Sequence, residues 1–141
     1  MNTDAEKTAI QAVLNAVRQG LHEKDAAAIG AQFASNAVIF DLAPPLAHGL
    51  DVPGLSAWLD GWDGPVDQEW RDMTIDVGGD VAFCRGLCKM TATTKADSTR
   101  RIGSCDIYGG GHGAGRLQAL GPFQTRHHRP RSHAAAAPLG C

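Results

Sequence analysis

The sequence predicts an α+β domain in which three N-terminal helices pack on one face of a curved antiparallel sheet. Two observations carry that expectation. Apolar residues recur at helical spacing through the first sixty residues, and beyond residue 65 the pattern turns to that of strands. A third observation, the length of 141 residues, fits one domain with one core.

The elements follow in order. Thr3 and Glu6 form a capping box, and Ile10, Val13, Leu14, Val17 and Leu21 then repeat at helical spacing, which predicts a helix over 4–22. Asp25 caps a second, shorter helix running through Phe33, with Ile29 and Phe33 on its buried side. Residues 37–41 read as a short strand, ended by Ala43-Pro44-Pro45, because proline cannot donate to a ladder. Asp51 before Val52-Pro53 starts a third helix with Leu55, Trp58, Leu59 and Trp62 as its apolar face. Gly61 and Asp63-Gly64-Pro65 stop it.

Residues 66–77 form a strand, Gly78-Gly79-Asp80 a tight turn, and 81–94 a long strand. In that long strand Val81, Phe83 and Leu87 face one way, and Ala82, Cys84, Gly86, Cys88 and Met90 face the other. Both faces are largely apolar, which predicts a central strand with the core on one side and a cavity on the other. Residues 101–108 and 116–123 form a last hairpin around a 109–115 loop. The domain thus spans 1–123. The Arg/His-rich and then Ala-rich stretch 124–141 has no amphipathic pattern and is expected to be a mobile tail.

Composition narrows the function classes. A net charge of −2 gives no global argument for nucleic acid, and no apolar run approaches the ~20 residues that span a bilayer. The polar start, MNTDAEKTAIQ, is not a signal peptide, so a cytoplasmic location is expected. Cys84 and Cys88 share a strand face but sit roughly 13 Å apart, too far for a disulfide. Their spacing is not a usual zinc pattern, and they read as small core residues. His127, His128 and His133 have no carboxylate or cysteine cluster beside them, so no metal is expected. The 109–115 glycines lack the Gly-Lys-Ser/Thr ending of a phosphate loop. The 126–131 arginines are few and lack interleaved aromatics. No cofactor is implied.

The order of helix, helix, Phe33-Ala-Ser-Asn-Ala-Val-Ile-Phe-Asp41, helix and strands resembles the NTF2-like superfamily, specifically its ketosteroid isomerase and SnoaL-like members. Lys24-Asp25 and Gly79-Asp-Val-Ala-Phe83 add to the resemblance, which covers residues 4–94. It implies a cone-shaped fold around a pocket. It also implies that Asp41 sits where those isomerases carry the general base that shuttles a proton. The residues themselves agree on location, since Asp41 ends the apolar run Val38-Ile39-Phe40 and precedes a proline-rich loop. Apolar walls there would raise its pKa toward a range useful for proton transfer. The plain structural alternative is that Asp41 ends the strand by accepting from nearby backbone amides.

Under the resemblance Asp106 matches the second, protonated aspartate of the isomerases, a hydrogen-bond donor in the penultimate strand. Their first-helix tyrosine has no counterpart, because Val17 stands at that point. Losing one oxyanion donor typically costs about 10²–10³ in rate, so steroid isomerisation itself is not expected. The implied pocket comprises Val17, Phe40, Trp58, Trp62, Cys84 and Cys88, although tryptophans at helical spacing also serve as core. His48 falls in the loop after Pro45 and reads as a solvated histidine. The expected partners are a small apolar ligand or substrate and a second copy of the chain, since relatives pair their sheets. Two functions remain open: acid–base catalysis of an isomerase, cyclase or hydratase-like step with Asp41 as base, or binding in the same cavity without catalysis.

One feature departs from an ordinary domain. Residues 1–97 hold 14 acids and 7 Lys/Arg, whereas 98–141 hold one acid, Asp106, and six arginines, with 8 of the 17 glycines and four of the six histidines. Lys, Glu, Val, Trp, Met and Asn vanish after residue 97. A reading-frame change near codon 98 would leave that signature, because glycine codons displaced by one base read as Trp, Arg or Gly. In the shifted frame 102–106 can read Asp-Trp-x-Met-Arg, and the run from Gly113 can read Trp-Arg-Trp-Lys-Val-Thr, as in SnoaL-like terminal strands. The nucleotide sequence is expected to contain those codons in the displaced frame; their absence disposes of the idea, and with it present Asp106 is an accident.

Overall fold

The computed structural model describes residues 3–40, 45–79, 81–112 and 116–122, with side chains as far as Ile102. Helix α1 spans Thr3–Glu23 and buries Leu14, Val17 and Leu21. It ends on Lys24 in the left-handed conformation, φ 59°. The Lys24 amide donates to the Leu21 carbonyl at 3.2 Å and the Asp25 amide to that of Gly20 at 2.8 Å, a Schellman closure with lysine in glycine's usual place. That backbone costs a non-glycine residue about 1–2 kcal/mol. The Lys24 ammonium offsets part of it by donating to the Trp62 carbonyl at 2.7 Å. His22 Nδ1 meets Asp67 Oδ1 at 2.7 Å, a second tie between the end of α1 and the strand that begins at Trp62.

Helix α2 is Ala26–Gly30, and Asp25 caps it by accepting from the Ala28 amide at 2.9 Å. It packs close to α1 because Gly20 has no side chain; a Cβ there would stand 2.5 Å from Ile29 Cγ1. The helix stops at Gly30 and does not reach Phe33 as expected. Phe33 instead opens strand β1, Phe33–Phe40, and is buried from the sheet side. The prolines do not lead only into a loop either: residues Ala47–Gly49 form strand β2, paired with β1 as Val38↔Gly49, Ile39↔His48 and Phe40↔Ala47. Helix α3, Val52–Asp60, is capped as expected, Asp51 accepting from the Gly54 amide at 3.0 Å.

Trp62 does not close α3. It begins β3, Trp62–Gly78, a 17-residue strand whose pairing is irregular between Asp63 and Asp67 and between Arg71 and Thr74. Gly64, φ 75°, and Asp72, φ 54°, fall inside those two irregular stretches, which let a long strand bend over the helices. Gly79, φ 61°, turns the chain into β4, Val81–Thr94, within the bounds expected from its pattern. Strand β5 is Arg100–His112 and β6 is Arg116–Pro122. Gly109, Gly110 and Gly111 are therefore strand residues, opposite Cys84, Phe83 and Ala82, not a loop. The tail 124–141 lies outside the described residues.

The six strands form one sheet in the order β2-β1-β6-β5-β4-β3, antiparallel except where β1 runs parallel to β6. One core cluster joins α1, α2, α3, β1, β3 and β4, with Leu59 and Val66 fully buried at its centre.

The β4–β5 connection is organised by one carboxylate. Thr94 donates its amide to the Thr99 carbonyl at 3.0 Å, Ser98 adopts φ 53°, and Asp97 accepts from the Thr94 hydroxyl, from the Thr99 amide at 3.1 Å and from Arg101 Nη2 at 3.2 Å. The Thr94 bond, then those from Thr99, hold the Asp97 carboxyl below its ordinary value of 3.8. Because the folded value is the lower one, the stabilisation is complete above the unfolded value and is lost as pH falls through the folded one. Asp97→Asn is therefore expected to lower the denaturant midpoint at neutral pH and to converge on the parent at the acid end. A gap between the two proteins that is the same at pH 7 and pH 2.5 would exclude ionisation of Asp97 as its source.

Candidate functional site

The site positions are set by strand alternation. In β1 Ala37 is buried and Ile39 packs against the core, while Val38 and Phe40 are exposed. In β4 Cys84, Cys88, Met90 and Ala92 are buried, while Val81, Phe83 and Leu87 are 43–46% exposed. The core thus sits on one face of the sheet, between it and the helices. The other face of β4, expected to line a cavity, is open in this chain and carries Arg85 and the Lys89–Glu69 pair, 3.7 Å apart, between its apolar residues.

Of the residues expected to line a pocket, Val17, Trp62, Cys84 and Cys88 come together in the buried cluster. Trp58 is partly buried against them, its ring edge-on to Trp62 with centroids 5.6 Å apart and planes at 69°. Phe40 does not join them. It is 49% exposed, out of phase with Ala37 and Ile39. Asp41 lies outside the described residues. Asp106 has its backbone in β5 opposite Leu87, and its side chain is outside the described set; the β5 positions opposite Cys84 and Cys88 are Gly109 and Cys105.

Among the described residues no polar or charged residue is buried, so the core they form is apolar. Cys84 and Cys88 are both buried within it. Two sites escaped the sequence reading. His48 is half-buried in β2, with Nδ1 donating to the Gly49 carbonyl at 2.8 Å, and only the ladder with β1 places it there. Gln68 lies on the core side of β3 opposite Met90, with its buried Oε1 unpaired. Period-two counting from Val66 could have found it. A surface groove of about 420 Å³ runs beside α1, lined by Lys7, Thr8, Gln11, Ala12, Asn15 and Ile75, and none of the expected site residues borders it. Among the described residues no His, Cys, Asp and Glu cluster is suited to a metal ion.

A cone of helices on a sheet of this order has close structural counterparts. An NTF2-like protein of unknown function from Pseudomonas putida superposes with a TM-score of 0.70 at 21% identity, over 88% of this chain and 91% of its own. The chain has the NTF2-like fold. A candidate scytalone dehydratase from Novosphingobium aromaticivorans matches at TM-score 0.72 and 14% identity, over 96% and 93% of the two chains. A type 2 hexachlorocyclohexane dehydrochlorinase matches at 0.73 and 10%, over 96% and 95%. In sequence, no protein-family model and no curated protein matches. The fold expected from residues 4–94 is the fold found.

Proposed function

We propose that the chain takes a small organic molecule into the chamber between helices and sheet, and that Asp41 moves a proton on it. The observation that supports the reading is the apolar packing between helices and sheet, beside which β1 ends one residue before an aspartate in the sequence. Ala37 and Ile39 are residues of β1 turned toward the core, and Asp41 follows Ile39 by two residues in the sequence. A carboxylate beside such a wall is poorly solvated when charged, which favours its acting as a base near neutral pH. Loss of water and loss of hydrogen chloride, the reactions named for two structural neighbours, both begin or end with removal of a proton from carbon. An isomerase, cyclase or hydratase-like step on a small carbonyl or hydroxyl compound is the matching class. The alternative, binding without catalysis, is favoured by Val17 standing where the isomerases carry a tyrosine donor.

NMR titration of the Asp41 carboxyl is expected to give a pKa well above the model-peptide value of about 3.9, and Asp41→Asn to abolish turnover without loss of fold. An ordinary carboxyl value would leave the binding reading alone standing.

We further propose that two copies pair through the open face of the sheet. Val81, Phe83, Leu87 and Ile102 expose apolar surface on adjacent β4 and β5, Ile102 lying opposite Thr91 of β4. Large apolar side chains exposed together on one sheet face mark an interaction surface. Leu87→Asp is expected to convert a dimer to a monomer in sedimentation velocity; a monomeric parent chain would overturn the pairing. Among the described residues no helix is long and apolar enough to cross a membrane, and a cytoplasmic location is part of the same proposal, as is the displaced reading frame after residue 97.

A further inference from the structure

Cys88 of β4 and Cys105 of β5 are direct partners across the antiparallel ladder. Residues opposed in this way stand on the same face of the sheet, with both their Cα atoms and their Cβ atoms about 4.5–5.5 Å apart. A disulfide needs Cα atoms roughly 4.4–6.8 Å apart and Cβ atoms about 3.5–4.5 Å apart. The register therefore brings these two positions to bonding range, with at most a small closing movement of the strands. Two further features favour the pair. The β4–β5 ladder runs unbroken from Val81 to Thr93, so neither cysteine slips past the other. On the same face the pairs to either side are Gly86↔Ile107 and Met90↔Gly103, each with one glycine, which leaves the backbones room to close. Cys84, in contrast, is opposed by Gly109 on one side and Ile75 on the other, and it lies roughly 13 Å along the strand from Cys88.

Cys88 is a thiol here and is 2% exposed within the core cluster. We propose that Cys88 and Cys105 are a site of reversible oxidation, closed to a cross-strand disulfide by hydrogen peroxide. Burial selects the reagent, because a sulfur so enclosed is open to a molecule little larger than water and closed to a bulky peptide disulfide. One thiolate attacks the O–O bond, forms a sulfenic acid and releases hydroxide, which takes up the proton the thiol gave off and leaves as water. The second thiolate attacks the sulfenic sulfur, forms the S–S bond and releases a second water in the same way. Each sulfur is oxidised by one electron, the peroxide is reduced by two, and both thiol protons end in water. A dithiol reductant returns the pair by exchange. The closed bond ties β4 to β5 near the middle of their ladder, in the wall of the core.

The test uses the full chain, reduced, treated with hydrogen peroxide, blocked with a maleimide and digested with trypsin. Cleavage after Lys and Arg puts each cysteine on its own peptide, so every linkage has a distinct mass. Peptide 86–89 is expected to emerge joined to 102–116 and to separate on reduction. The oxidised chain is expected to melt roughly 5–10 °C above the reduced one. That gap is expected to persist in Cys84→Ala and to vanish in Cys105→Ala, with circular dichroism checking that each variant keeps the fold. The linkage itself is read in the parent chain and needs no variant. Peptide 86–89 joined instead to the peptide of Cys84 or of Cys141 overturns the proposal. So does recovery of Cys88 as a sulfinic acid without a partner, or of Cys88 and Cys105 both as maleimide adducts after peroxide. No outcome at Asp41 bears on this linkage.

Discussion

Strand β4 is hydrogen-bonded along both edges, to β3 and to β5, and each of its faces does something different. Its inner face is small and apolar: Cys84, Gly86, Cys88 and Ala92, with Met90 the one long side chain. Small residues let the sheet wrap closely around what covers it. Met73 of β3 lies over Gly86, where an added Cβ would come within 3.0 Å of its Cε. The partner ladder to β5 runs without a break from Val81 to Thr93, so the register of the whole strand is held at once. A slip of one residue would exchange Cys84 and Cys88 for Arg85 and Lys89 in the core, a desolvation cost no packing there could offset.

That constraint decides what could be read in advance. Caps are local, so Asp25 and Asp51 announce α2 and α3 by sequence alone, and each accepts the amide three residues on. Alternation in β4 is local too, and its bounds were legible to the residue. The misread elements are those made by distant partners. Ala47–Gly49 is a strand only because β1 lies beside it, and nothing in His48 or its neighbours signals that. Phe33 and Trp62 each stand at a helix–strand junction where an apolar aromatic satisfies either period. Only the pairing of Phe33 with Leu117 and of Trp62 with Thr94 settles them as strand. The glycines of β5 carry no side chain to show a period at all.

The candidate site divides along the same line. Val17, Trp62, Cys84 and Cys88 were legible as an inner group because helical and strand spacing each mark one face, and one cluster contains all four. Phe40 and Asp41 could not both face inward, since neighbours in a strand point to opposite sides. With Ala37 and Ile39 turned to the core, Phe40 is the one displaced. Asp106 is a different matter. Its place opposite Leu87 follows from β5, a strand lying wholly beyond the compositional break, so its resemblance to an isomerase donor rests on the least family-like part of the chain.

What the described core lacks is as instructive as what it holds. Leu14, Leu21, Ile29, Leu59 and Val66 make a wall against which an isolated charge is costly, and the described interior buries none. At the end of β1 the chain passes into Asp41 and the prolines; at the opposite end of β4 lie the unpaired groups of Trp62, Gln68 and Arg101. An apolar wall strengthens any hydrogen bond made beside it and penalises any left unmade.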